Sequence, residues 1–190
     1  MDLSLPSISD LTALLEWNEI LMESKAKTLV AALTLSAAAF IGLVSHEGFT
    51  TKAVIPTQGD VPTVGFGSTY HEDGRPVRMG DTVTPVNALK KAQAHISKEE
   101  ALFRKSLEGA YLSQKEYDIY MDFTYQYGSA AWSKSSMRKN ILQGKHTEAC
   151  KALLNYRFMA GYDCSTPGNK RCYGVWTRQK ERYAQCMAAQ

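Results

Sequence analysis

The chain has 190 residues, with 22 Lys and Arg against 19 Asp and Glu, a formal charge of +3 and 44% apolar residues. This is enough for one domain with a real core plus an appendage, and the composition is ordinary for a globular protein. The mild positive charge suits an acidic polymer such as a cell wall, and it suits plain solubility equally well. With no nucleic-acid motif in the chain, it makes no case for nucleic acid as a partner.

Residues 1–27 form a polar N-terminal segment in which Leu11, Leu14, Leu15, Asn18 and Leu21 recur at helical spacing, with Ser7 and Asp10 placed to cap the start. Residues 28–44, TLVAALTLSAAAFIGLV, carry no charge over seventeen positions. As a helix this stretch spans about 26 Å, slightly less than a hydrocarbon core of about 30 Å. Lys25 and Lys27 precede it, which orients the N-terminus to the cytoplasm. Three readings compete: a cleaved signal peptide, a permanent anchor and a buried core helix. Val44-Ser45-His46 is a poor cleavage site, although Ala37-Ala38-Ala39 could be cut. The flanking lysines put a membrane role ahead of a core helix, even though Ala, Ser, Thr and Gly dilute the segment.

Ser45-His46-Glu47-Gly48-Phe49 follows at once, and residues 50–80 then bring five glycines and three prolines with Val61, Val64 and Phe66. This reads as a small irregular β-region with tight turns that must lean on helices. A carboxyl at such a helix-to-sheet junction suits the cleavage of a glycosidic bond, which needs an acid for the leaving oxygen and a polar group for water. Beyond it the chain reads as helical. Thr84-Pro85 is an N-cap with proline at the first helical position, and Val86, Leu89, Ile96, Phe103 and Leu107 give one apolar face. Ser113-Gln114-Lys115-Glu116 is a capping box opening a helix that should stop near Gly128. Further helices are expected near 135–143, closed by Gly144, from Thr147 to before Gly161, and over about 174–187. The fold class is α+β, a small β-hairpin region packed against a mainly helical domain and preceded by an N-terminal apolar helix.

Cys150, Cys164, Cys172 and Cys186 all lie in the last quarter, and three pairings are open to them. Zinc is the rival use of these thiols, but no CxxC or HxxxH spacing supports it. Cys164 and Cys172 bracket the turn-rich Ser165-Thr166-Pro167-Gly168-Asn169, which a local disulfide would close, and this leaves Cys150 with Cys186.

Glu47-Gly48 followed by Thr63-Val64-Gly65-Phe66-Gly67 resembles the signature of phage-type lysozymes, the endolysin muramidases. Asp122-Phe123-Thr124-Tyr125-Gln126-Tyr127-Gly128 resembles the family's helix across the cleft. Ala131-Trp132-Ser133-Lys134-Ser135-Ser136 and Gly174-Val175-Trp176-Thr177-Arg178 resemble later stretches of the family. The similarity covers about residues 46–190. It implies a lysozyme-like fold and hydrolysis of the β-1,4 bond between N-acetylmuramic acid and N-acetylglucosamine in peptidoglycan, with Glu47 as general acid. The family pattern puts an Asp or Cys nine residues after the Glu, where this chain has Pro56, and a Thr six further on, where Thr63 stands one residue late. Asp60 is the nearest carboxylate to Thr63 and takes the missing role in this reading, with Thr57 a weaker candidate. The alternative is that Asp60 only serves the turn after Gly59. Gly67, Tyr125, Gln126 and Ser135 match cleft positions of the family.

The resemblance also gives residues 28–44 the look of the signal-anchor-release segments of some endolysins, which enter the inner membrane through the host export machinery and later slip free. The domain division is then 1–27, 28–44 and a lysozyme-like catalytic domain at 45–190. The domain is periplasmic, first tethered and then released, and its substrate is the peptidoglycan glycan strand. A monomer is expected, and no metal or organic cofactor is implied. The rival is a non-catalytic muramidase-like module that binds peptidoglycan or a partner protein, and Pro56 is the feature that favours it.

Overall fold

The computed structural model describes residues 26–56 and 59–190. The helical pattern expected before Lys25, and Thr57, lie outside the described residues. Two compact units divide the chain: one joins the chain up to Leu33 with Leu107–Ile119 and Lys134–Gln190, and the other holds Thr34–Ser106 and Tyr120–Ser133.

In the second unit, helix α1 covers Ala37–Glu47. Strands β2 (Thr50–Val54) and β3 (Thr63–Gly65) pair antiparallel with an irregularity in register, and they follow β1, a two-residue strand at Thr28–Leu29. The hairpin buries Ala53 and Val64 with Val77, and Val83 packs against them. Helix α2, Pro85–Ser106, starts as expected, with the Thr84 hydroxyl accepting from Asn87 N at 3.3 Å. Its buried face is Ala88, Ala92, Ile96, Glu100 and Phe103. Val86 and Leu89, expected on that face, are exposed at 60% and 38%. The small alanines face inward because a strand comes close there. At the other end of α2, Phe103 meets Trp132 at 4.8 Å, and Tyr120 and Phe123 complete an aromatic cluster around the same indole. The Trp132 Nε1–H donates to Ser106 Oγ at 2.8 Å, so the buried ring keeps its polar atom satisfied.

Residues 28–44 do not form the single apolar helix expected of them. Thr28–Leu29 is strand, Val30–Ala32 is one 3-10 turn, and the α-helix begins only at Ala37. Two polar contacts break the run. Leu35 N donates to the buried Glu100 Oε1 at 2.7 Å, and Ser36 Oγ caps α1 by accepting from Ala39 N. A backbone N–H bonded to a side chain in this way is lost to a continuous helix. Val30, Leu33, Leu43 and Val44 are buried, whereas Ala31, Ala32, Ala37 and Ala38 are exposed. No helix among the described residues is long and apolar enough to cross a membrane.

In the first unit, β1 pairs antiparallel with β4 (Tyr111–Leu112), and Val30 N donates to Ala110 O. Helix α3, Gln114–Tyr127, opens with the capping box as read: Ser113 Oγ accepts from Glu116 N, and Glu116 Oε2 accepts from Ser113 N at 2.8 Å. The helix ends before Gly128, whose φ of +84° suits glycine. A short helix α4, Ser129–Ser133, follows in the second unit and had no signature in the sequence. Then come α5 (Ser136–Leu142), α6 (His146–Ala152), the β5–β6 hairpin (Phe158–Met159 with Tyr162–Asp163) and α7 (Tyr173–Ala188). Helix α6 stops well short of Gly161 because a 3-10 turn and this hairpin take over. Disulfides join Cys150 of α6 to Cys186 of α7, and Cys164 to Cys172. Both are the expected pairings, and they take the thiols out of the zinc reading.

Glu116 does more than cap. Its side chain is fully buried, with Lys27 Nζ at 3.0 Å, His146 Nδ1 at 3.0 Å and Gln190 Nε2 donating at 3.0 Å. Burial works to raise its pKa, but the hydrogen bonds from Ser113 N, Gln190 and Lys27, with the Lys27 charge, outweigh it and hold the carboxyl below its ordinary value. A depressed folded pKa contributes stability above the ordinary glutamate range, and that stability is lost as pH falls through the folded value. The wild type should therefore lose stability on acidification below the ordinary range. Glu116→Gln should be less stable at neutral pH by about 1–3 kcal/mol and flatter over the acid window. Denaturant melts of both proteins from pH 7 downward check this, and parallel acid curves would refute it.

Candidate active site

Glu47 is the last residue of α1, and Gly48 with φ of +69° turns the chain out of the helix and toward β2. Immediately after the turn, Phe49 packs on Phe66 with ring centroids 5.3 Å apart, which ties the helix exit to the strand exit. Strand β3 in turn lies hard against α2. A Cβ at Gly65 would stand 2.9 Å from Ala88 Cβ, and the φ there is +69°, so both space and backbone call for glycine. This contact delivers Phe66 and Gly67 beside Lys91 and His95 of α2.

Helix α3 supplies Tyr125 and Gln126 to the same place, with Tyr125 edge-on to His95 at 5.9 Å. The result is a cleft of about 530 Å³ whose lining includes Glu47, Gly67, Tyr125 and Gln126. These four were expected from the sequence, and the structure brings them together. Phe66, Tyr70, Lys91 and His95 also line it and were missed. Lys91 and His95 did carry a signal, since two polar residues four apart on a helix share a face. Among the described residues that line the cleft, Glu47 is the carboxylate, and its side chain is exposed to the opening. Burial raises the Tyr125 pKa, and the neighbouring Glu47 charge raises it further, so the phenol stays protonated beside the carboxyl. Gln126 Oε1 is buried with no hydrogen-bond partner among the described residues. An unmade bond of this kind costs about 1–3 kcal/mol, which a ligand N–H or O–H placed there would recover.

The remaining sequence-picked residues lie elsewhere. Asp60 is exposed, and its Oδ1 accepts from Val61 N within its own turn. Thr63 is half-buried at the start of β3, its hydroxyl 3.4 Å from Val54 O. Neither is among the lining residues of the cleft. Ser135 is buried in the first unit, where its hydroxyl caps α5 by accepting from Arg138 N. No group of three His, Cys, Asp or Glu among the described residues is arranged to hold a metal ion. The arrangement is one carboxyl at the mouth of an aromatic and amide-lined cleft, which can donate a proton to a sugar oxygen.

This is a lysozyme fold. The endolysin of Escherichia coli O157:H7 phage FAHEc1 matches it with a TM-score of 0.68 at 22% identity, over 82% of this chain and 94% of that one. The active form of the P1 phage endolysin Lyz matches with a TM-score of 0.63 at 14% identity, over 97% and 95%. In sequence, the endolysin of Salmonella phage P22 is 28% identical over 122 residues, 64% of this chain and 81% of that protein. The Phage lysozyme family profile matches residues 44–182, and the chain belongs to that family. It is accordingly a muramidase, a glycoside hydrolase of peptidoglycan.

The Gly65 contact sets the cleft wall, and Gly65→Ala should disturb it. Overpacking of this kind costs about 1–3 kcal/mol, and the left-handed φ adds to it. Thermal melts should show the loss, and turnover should fall even at temperatures where the variant remains folded. A variant that melts and turns over like the wild type would show that β3 can step back from α2 without consequence.

Proposed function

We propose that the chain is a phage lysis enzyme that cuts the β-1,4 bond between N-acetylmuramic acid and N-acetylglucosamine, with Glu47 as its general acid. The observation that carries this is the position of Glu47, the cleft's carboxylate, facing the Tyr125 and Gln126 side of the same cavity. In the reaction Glu47 gives its proton to the glycosidic oxygen as the bond to the sugar breaks. The exposed cationic sugar is then taken by water. The buried, unpartnered Gln126 Oε1 is suited to hold an amide N–H of the substrate. In this proposal the hairpin supplies the water side. Asp60 and Thr63 stand on the stretch that runs through β3 into Phe66 and Gly67 of the lining, and they orient the attacking water together. Glu47→Gln removes the proton and keeps the volume, so wall hydrolysis should fall by at least about a hundredfold with the melting temperature unchanged. Asp60→Asn should cost a similar factor if Asp60 is the base. An unchanged rate in Asp60→Asn returns Asp60 to its turn and leaves Thr63 alone, and substantial activity in Glu47→Gln removes Glu47 from the mechanism. Turbidity loss of permeabilised cells reads both.

The proposal extends to residues 28–44 as a releasable membrane segment, inserted by the host export machinery with Lys25 and Lys27 on the cytoplasmic side. The support is that folding does not require this segment to be free of charge. Ala31, Ala32, Ala37 and Ala38 are exposed, and Ile41 is 61% exposed. An exposed position accepts a charged residue at little cost, yet none occurs over the whole run. Membrane insertion and the folded form compete for Val30, Leu33, Leu43 and Val44, which cannot be in lipid and in the protein interior together. Insertion therefore keeps α1, and with it Glu47, from forming the cleft. Replacing Ala37, Ala38, Ala39 and Gly42 by Leu should hold the chain in the membrane and delay lysis. Ala37 and Ala38 are exposed, and a Cβ at Gly42 meets nothing within 4 Å, so at these positions the effect is on partition and not on packing. Lysis on the wild-type schedule by a variant found wholly in membranes would overturn the release mechanism.

A further inference from the structure

The end of the first unit carries a cationic and aromatic surface that the chemistry of the cleft does not use. Residues 156–180 hold five Lys and Arg against a single Asp, more net positive charge than the whole chain's +3. The β5–β6 hairpin turns through Ala160 and Gly161, at φ of +47° and +82°. Phe158 and Met159 are neighbours on β5 and so point to opposite faces of the hairpin, yet they are 55% and 44% exposed. The hairpin is thus a finger with apolar side chains in water on both faces. Tyr162 on β6 and Tyr173 at the start of α7 are exposed as well.

Cations lie against these rings. The Arg171 guanidinium is 4.2 Å from the Tyr162 ring centroid, that of Arg157 is 5.2 Å from Phe158, and Lys180 Nζ is 5.4 Å from Tyr173. The Cys164–Cys172 disulfide closes the loop that follows the hairpin. Asn169 braces that loop, its Nδ2 donating to Asp163 O and its Oδ1 accepting from Arg171 N. A cavity of about 660 Å³ opens on the loop, with Lys170 and Arg171 in its lining and no carboxylate. Asp163, the one acid of the stretch, is already committed to Arg157 at 3.4 Å and to the Ser165 hydroxyl at 2.6 Å. Lys170, Arg171 and Lys180 have no ion-pair partner among the described residues.

We propose that this surface docks the folded protein on an anionic phospholipid bilayer. Lys170, Arg171 and Lys180 meet lipid phosphates, and Phe158 and Met159 enter the boundary between headgroups and acyl chains. Exposed apolar side chains flanked by unpaired cations match both layers of such a surface. An acidic polymer in water accounts for the cations but leaves Phe158 and Met159 without apolar surroundings. A second copy of the chain would set like charges against one another. The contact is separate from residues 28–44, whose Val30, Leu33, Leu43 and Val44 are buried in this folded form, and it asks nothing of Glu47.

Cosedimentation of the full chain with vesicles tests this. Vesicles of phosphatidylglycerol and phosphatidylethanolamine in equal parts should bind the wild type at least about tenfold more tightly than vesicles of phosphatidylcholine, and added salt should shrink the difference. The double variant Lys170→Gln, Arg171→Gln should bind the anionic vesicles about tenfold or more weakly, since each cation near such a surface contributes a factor of about five. The double variant Phe158→Ser, Met159→Ser should also lose about tenfold. Both variants should keep the wild-type melting temperature and the wild-type turnover on soluble glycan fragments, which separates loss of docking from loss of fold. Equal binding to both kinds of vesicle overturns the proposal. So does binding that survives both double variants, because residues 28–44 would then be making the contact. A protein that loses affinity with the cations but not with Phe158 and Met159, or that binds a soluble polyphosphate as tightly as it binds vesicles, is held by charge alone, and a bilayer is then not its partner.

Discussion

The near contact of Gly65 with Ala88 is the constraint on which the active cleft depends. It brings a strand within van der Waals distance of a helix, and everything the cleft needs follows from that spacing. Phe66 and Gly67 continue from the strand, Lys91 and His95 continue along the helix, and Phe66 reaches back to Phe49 to fix the turn out of α1. A bulkier pair at 65 and 88 would move one wall away from the other. The alanines on the inner face of α2 are part of the same solution, because a helix met this closely by a strand cannot present larger side chains at the crossing.

Much of this was legible in the sequence where the signal is local. Ser113 and Glu116 announced a helix start, Thr84-Pro85 another, and Gly128 and Gly144 marked two ends, since caps and stops are written within three or four residues. The disulfide pairing was legible for a similar reason, as the turn-rich stretch between Cys164 and Cys172 leaves little freedom. The cleft was legible as a set of short patterns whose order carried the information. Contacts between residues far apart were not. Nothing near Glu116 says that Lys27, His146 and Gln190 will converge on it. Hydrophobic period placed Val86 and Leu89 inward, but the face is decided by the partner, and here the partner selects Ala88 and Ala92. The two-residue strands β1, β4, β5 and β6 are too short to leave any period at all.

Residues 28–44 show the limit of hydropathy most directly. An uncharged run of weakly apolar residues satisfies both a lipid environment and a folded one, and composition does not choose between them. The choice is made by two groups that a hydropathy count ignores, the Glu100 carboxylate and the Ser36 hydroxyl, each of which takes a backbone N–H out of helical use. The opposite error is avoided at the hairpin, where the wealth of glycine and proline correctly signals irregular structure but does not say which carboxylate, if any, will face the cleft.

The contact between Leu35 N and Glu100 has a consequence for what the docking of this segment can tolerate. Glu100 occupies a position on the buried face of α2 where an apolar residue would ordinarily sit, and its Oε1 accepts from main chain at Leu35 N. The acid therefore reads an N–H that nineteen of the twenty residue types provide. Leucine at position 35 can drift to almost anything without releasing the latch, and proline, which lacks the donor, is the one residue that would remove this bond. A segment whose composition must satisfy a second environment gains from such an attachment, because its side chains can change while its docking is held by the backbone.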